Sequence, residues 1–190
     1  MLNKMADNSS ATGGYLQDLR PHLSQKELMR FFHGFLAGLT GLPKSNVRPA
    51  FQKNAPPLLE NGVDWLSYYL TDFDVENGAA YIKKGDLSRH ETFTLKCVFY
   101  GDECLNFACA LRDCLELAQN REELFKNGLA FFDADVIIFA PEIVNGEHYP
   151  RADLSLRFCR ELKRHYNILN FEKAQGNFKD FKNVGFFVER

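Results

Sequence analysis

At 190 residues the chain suits one domain, or one domain with tails, and a fold of this size buries roughly 70% of its unfolded surface without disulfide or metal staples. Its 23 Lys and Arg stand against 25 Asp and Glu, a formal net charge of -2, which excludes a strong sequence-independent nucleic-acid binder and a protein held to an anionic membrane by charge. No apolar run has bilayer-spanning length and residues 1–14 lack the apolar centre of a secretory signal, so the expectation is a soluble, unexported protein.

Five cysteines (Cys97, Cys104, Cys109, Cys114, Cys159) are odd in number, lack Cys-x-x-Cys spacing and mostly sit among apolar neighbours, as small buried side chains do in a reducing compartment. Aromatic residues make up 14% of the chain, including 18 Phe, so some rings are predicted to meet a neighbouring subunit rather than the interior.

Residues 1–19 read as a flexible arm, because Asn8-Ser9-Ser10-Ala11-Thr12-Gly13-Gly14 has nothing of its own to bury. A single domain is expected over residues 20–170. Ser24 with Glu27 forms a capping box, and Leu28, Phe31, Phe32, Phe35, Leu36 and Leu39 follow at helical spacing until Gly41 and Pro43. A proline-rich loop leads to a strand over residues 63–73, then a hairpin at Glu76-Asn77-Gly78 toward Tyr81-Ile82, and a Gly85-Asp86 turn opens a strand over 90–100.

Asp102 is the expected N-cap of a second helix, with Cys104, Phe107, Ala108, Leu111, Leu115 and Ala118 on one stripe and a restart at Asn120 before Asn127-Gly128. Residues 136–139 read as a buried run. Ala152, Leu154, Leu156 and Phe158 alternate with polar residues in a half-buried strand whose pattern breaks near Arg160. Residues 171–190 form an extension with Phe178, Phe181, Phe186 and Phe187. The fold class is α+β: one mixed, mainly antiparallel sheet packed against two main helices.

Candidate chemistry is sparse. Asp153 with Glu161-Leu162-Lys163 has the acidic and Glu-x-Lys elements of a metal-dependent nuclease, in which two carboxylates hold Mg²⁺ and a lysine orients water, but both elements lie on what reads as one continuous strand. Asp133 with Asp135, and Asp72, Asp74 and Glu76, read as solvated acids at strand ends. His22, His33, His90, His148 and His165 lack ligand spacing, and neither a nucleophile elbow nor a phosphate loop is present. The basic set Arg157, Arg160, Lys163, Arg164 and His165 reads as a solvated face, or as a set of partners for acids on an adjacent protomer. No cofactor and no metal are expected.

Arg48-Pro49-Ala50-Phe51-Gln52 with Pro56-Pro57, then Phe93-Thr94-Leu95-Lys96-Cys97-Val98-Phe99-Tyr100-Gly101, Gln119-Asn120-Arg121-Glu122, Pro141-Glu142 and Arg151-Ala152-Asp153-Leu154 together resemble the neck or tail terminator proteins of tailed bacteriophages. The resemblance runs from Arg48 to Asn167. It implies a virion protein, assembled in the host cytoplasm, that forms a homohexameric ring on the tail tube, stops its polymerisation and faces the head-side connector or neck proteins. It also implies DNA passing through the ring without being specifically bound, and no enzyme activity. The alternatives are the nuclease built on Asp153, Glu161 and Lys163, or another ring-forming head-completion or tube protein. Arg48 and Arg151 read either as cations at the subunit interface or, equally, as local caps or loop anchors, with Phe178, Phe181, Phe186 and Phe187 as a strand-adding tail.

Overall fold

The computed structural model describes residues 11, 14–19 and 24–168, except 55, 77, 79, 84 and 145. The C-terminal Phe178, Phe181, Phe186 and Phe187 lie outside the described residues.

Helix α1 (Gln25–Thr40) begins as its capping box dictates: Ser24 N–H donates to Glu27 Oε2 at 2.8 Å, and Glu27 N–H to Ser24 Oγ at 3.3 Å. It ends at Gly41, whose φ of 72° lets its N–H reach the Ala37 carbonyl. Its apolar stripe places Leu28, Phe32 and Leu36 wholly inside.

Strands β1 (Val47–Pro49), β2 (Trp65–Val75), β3 (Ala80–Lys83), β4 (Asp86–Tyr100), β5 (Leu129–Ala134), β6 (Ile138–Phe139) and β9 (Arg151–His165) form one sheet. Its order is β1-β2-β4-β9-β5, with β3 beside the start of β4 and β6 beside the start of β9. Among the described residues only β1 and β2 pair in parallel. Strands β7 (Glu142–Val144) and β8 (Glu147–Tyr149) make a separate hairpin. With three helices against a mainly antiparallel sheet, the fold is α+β.

Two local expectations need correction, and a third is met within a longer strand. Strand β3 pairs with β4 through the Gly85 turn and not with β2, so Glu76-Asn77-Gly78 does not close a hairpin between paired strands. The alternation of β9 breaks at Cys159 and Arg160, as expected, while the strand itself runs on to His165, because Arg160 meets its cross-strand partner Glu91 at 2.5 Å and the two charges neutralise each other. The second helical pattern is two helices, α2 (Cys104–Cys114) and α3 (Ala118–Lys126), and Asp102 does not cap the first of them. Instead the Glu103 N–H donates to Asp64 Oδ1 at 2.9 Å, a cap supplied from the loop before β2. Asn120 and Arg121 turn back to the carbonyls of Cys114 and Leu115 at 2.7 and 2.6 Å, satisfying the end of α2.

The core lies between the helices and one face of the sheet. Phe32 of α1 meets Phe158 at 5.0 Å and Phe93 at 6.0 Å between ring centroids, and Phe93 stacks on Phe158 at 5.9 Å. All three rings are at most 1% exposed, and each such burial stabilises the fold by about 2–3 kcal/mol. Gly101 (φ 108°) fits where no side chain could: a Cβ there would stand 2.7 Å from the Asp64 Cα.

Candidate functional site

The described helices all pack on one face of the sheet, so strand alternation sends every second side chain of β2, β4 and β9 to an open face. At one end of that face Trp65, Tyr100 and Arg151 are direct cross-strand partners. The Trp65 and Tyr100 rings stack at 4.3 Å and 9°, the Arg151 guanidinium lies 5.9 Å from Tyr100, and the Arg48 guanidinium lies 5.8 Å from Trp65. The result is a four-layer stack, Arg48-Trp65-Tyr100-Arg151, contributed by four adjacent strands.

Both arginines singled out from sequence thus belong to one construction within the protomer. Arg48 also donates to the carbonyls of Ser45 and Pro57 at 3.1 and 2.7 Å, fastening the loop after β1. Arg151 binds Asp153 bidentately at 2.7 and 2.8 Å and Glu142 at 2.8 Å. The hydrogen bonds it donates to Asp153, and secondarily to Glu142, hold its guanidinium well above the ordinary arginine range. Burial pushes the Tyr100 phenol up to about 12, against the opposing pull of Arg151.

Toward the middle lies a shallow cavity of about 260 Å³, lined by Tyr69, Lys96, Val98, Ile138, Asp153 and Ser155 among others, with Lys96 Nζ donating to Ser155 Oγ at 2.8 Å. Of the run 136–139, expected inside, Ile137 packs against the core but the rest is at the surface: Val136 is 81% exposed, Ile138 60% and Phe139 56%. The reason is topological. Strand β6 is a two-residue border strand, and among the described residues no strand pairs with its outer side. Phe132 and Ile143 continue the same exposed apolar border. On the opposite border Phe51 is 87% exposed, its backbone in the left-handed region (φ 57°) and its ring 5.1 Å from Tyr69.

The basic set on β9 is not a stripe. Alternation divides it between the two faces, and each member has an acid in its own chain: Arg157 with Asp133, Arg160 with Glu91, Lys163 with Glu161, Arg164 with Asp18 and His165 with Asp86. Asp18 also accepts from the His165 N–H at 3.0 Å, and Leu19 N–H donates to the His165 carbonyl, so residues 18–19 of the predicted arm are tied to the end of β9.

The nuclease elements do not assemble. Asp153 and Glu161 are eight residues apart on β9, about 26 Å at strand rise. Asp153 is occupied by Arg151, while Glu161 accepts from Ser88 Oγ at 2.6 Å, which with Lys163 holds its carboxyl below the usual range. Among the described residues no three His, Cys, Asp or Glu side chains converge as metal ligands require. Sequence reasoning missed the Trp65–Tyr100 pairing, the Asp64 cap and the Glu91–Arg160 pair, all of which depend on strand register rather than on spacing along the chain.

Fold and surface together define a small α+β subunit whose special features are noncovalent stacks, ion pairs and apolar borders. A family model described as phage neck terminator protein matches residues 26–181, and the chain belongs to that family. The match includes nearly all of α1, which the Arg48 to Asn167 resemblance omits, and reaches Phe178 and Phe181 but not Phe186 and Phe187. No curated protein matches the chain. Membership makes it a structural protein of the phage neck or tail, and so a virion component that assembles with other head or tail proteins. Among the described residues no helix is long and apolar enough to cross a membrane.

Proposed function

We propose that this chain is a tail terminator: six copies close into a ring on the last ring of the tail tube, halt its growth and offer the head-side connector a surface. The observation that carries this reading is the family match over residues 26–181, which takes in every described strand and nearly every helical residue. Assembly takes place in the host cytoplasm, and the ring works without a cofactor or a chemical step.

The charge pattern supports a bore through which DNA slides. The cationic side chains of β9 are each neutralised within the subunit, and the chain as a whole is slightly acidic, so phosphates are not gripped in passage. Residues 1–19 serve as an arm, 20–170 as the ring domain and 171–190 as an extension that adds a strand to a sheet edge through a segment containing Phe178, Phe181, Phe186 and Phe187. Arg48 and Arg151 stand at the end of the sheet where copies meet.

Negative-stain imaging of the purified protein tests the reading. Annuli of one size, and tubes of fixed length when the protein is added to polymerising tube subunits, are expected. Stacks that lengthen without limit would favour a tube protein instead, and a chain that stays monomeric even beside tube ends would overturn the proposal.

A further inference from the structure

The geometry points to a specific heterologous contact between copies: the Phe51 border of one subunit seats on the apolar border 132–143 of the next. This rests on the ring reading above and deepens it by assigning the two unlike surfaces that a closed ring requires.

Four observations converge on the pairing. First, Phe132, Val136, Ile138, Phe139 and Ile143 are each more than half exposed within twelve residues of chain, a concentration unlike the scattered apolar side chains of an ordinary surface. Second, the strand order sets Phe132, Ile138 and Phe139 on the β5 and β6 border and Phe51 beside the β1 border, at opposite sides of the sheet, so one copy presents both. Third, Phe51 is 87% exposed in a left-handed backbone conformation, and its ring is held at the surface by an edge contact with Tyr69 at 5.1 Å, a fixed apolar knob. Leu58, also more than half exposed, accompanies it.

Fourth, the charges beside the two surfaces are opposite in balance. In the segment around Phe51, Lys44, Arg48 and Lys53 outnumber Glu60; around the 132–143 border, Asp133, Asp135, Glu142 and Glu147 outnumber Arg151 and Arg157. Like surfaces therefore repel and unlike ones attract, which directs the contact head to tail and disfavours a two-fold dimer. The occupant this selects is a second copy of the same chain.

Two substitutions test the pairing, Phe51→Glu and Val136→Glu, both at sites so exposed that the core is untouched. Each variant alone should lose the ring in analytical ultracentrifugation while keeping the wild-type circular dichroism and melting. Mixed in equal amounts at high concentration they should recover a two-copy species and nothing larger, since each variant retains the surface that the other lacks. A photoreactive phenylalanine analogue placed at position 51 should cross-link to the peptide 132–143 of another copy, and this readout holds even where a Glu variant misfolds. Rings that survive both substitutions, or cross-links confined to other peptides, would overturn the contact and leave the ring itself standing. A wild-type chain that never forms rings would remove both.

Discussion

On the helix-covered face of β4 and β9, Phe93, Leu95, Phe99, Leu154, Leu156 and Phe158 are at most 1% exposed, whereas on the open face the same strands carry Lys96, Arg151, Asp153 and Arg157, half-buried or exposed and held by ion pairs and hydrogen bonds. One register, from Asp86 opposite His165 to Tyr100 opposite Arg151, builds both. The difference lies in how each face tolerates loss. Interdigitated rings have a single close-packed arrangement, so a missing ring leaves a void, while a solvated ion pair that loses one member regains water.

Four measurements would sharpen or break that contrast. Phe158→Ala, which removes a ring touching Phe32, Phe93 and Phe131, is expected to cost about 3–5 kcal/mol in urea unfolding. A cost similar to that of an open-face substitution would end the distinction. Arg160→Ala should follow at about 3 kcal/mol, because it strands Glu91, whose side chain is only 9% exposed, without its cation. Arg151→Ala on the open face should cost about 1 kcal/mol of monomer stability, since Asp153 and Glu142 can turn to water. Light scattering on the same variant reads the separate proposal that Arg151 stands between copies, for which a weakened oligomer is expected and an unchanged one would retire the role.

The smallest effect belongs to Glu161→Gln, a few tenths of a kcal/mol for a carboxylate this solvated. Ser88 and Lys163 lower the folded carboxyl below its ordinary 4.5, so the stabilisation is complete above that pH and fades as acid titrates the group beneath it. A difference between wild type and variant that stays constant between neutral pH and pH 3 would contradict the assignment.

How far the chain announced this architecture varies by element. Ser24 with Glu27 and Gly41 mark both ends of α1 because caps are local chemistry, readable within four residues. The alternation of Ala152, Leu154, Leu156 and Phe158 likewise reports its own face. The start of α2 was not legible, since its cap comes from Asp64, 39 residues upstream. The border 136–139 misled for a related reason: apolar composition says that a segment avoids water, not whether its cover comes from the same subunit or another. Arg48 and Arg151 were visible as special but not as ends of one stack, because Trp65 and Tyr100 meet only once β2 and β4 are in register. Family membership was readable from several short segments in order, none of which specifies it alone.

The pairing of β4 with β9 continues through fifteen residues without a register shift. At strand rise that is a strut about 50 Å long. Force applied along it would be shared by all rungs in shear, while force across it would unzip them singly. The mechanical stiffness of this protein is accordingly expected to depend on the direction of pulling.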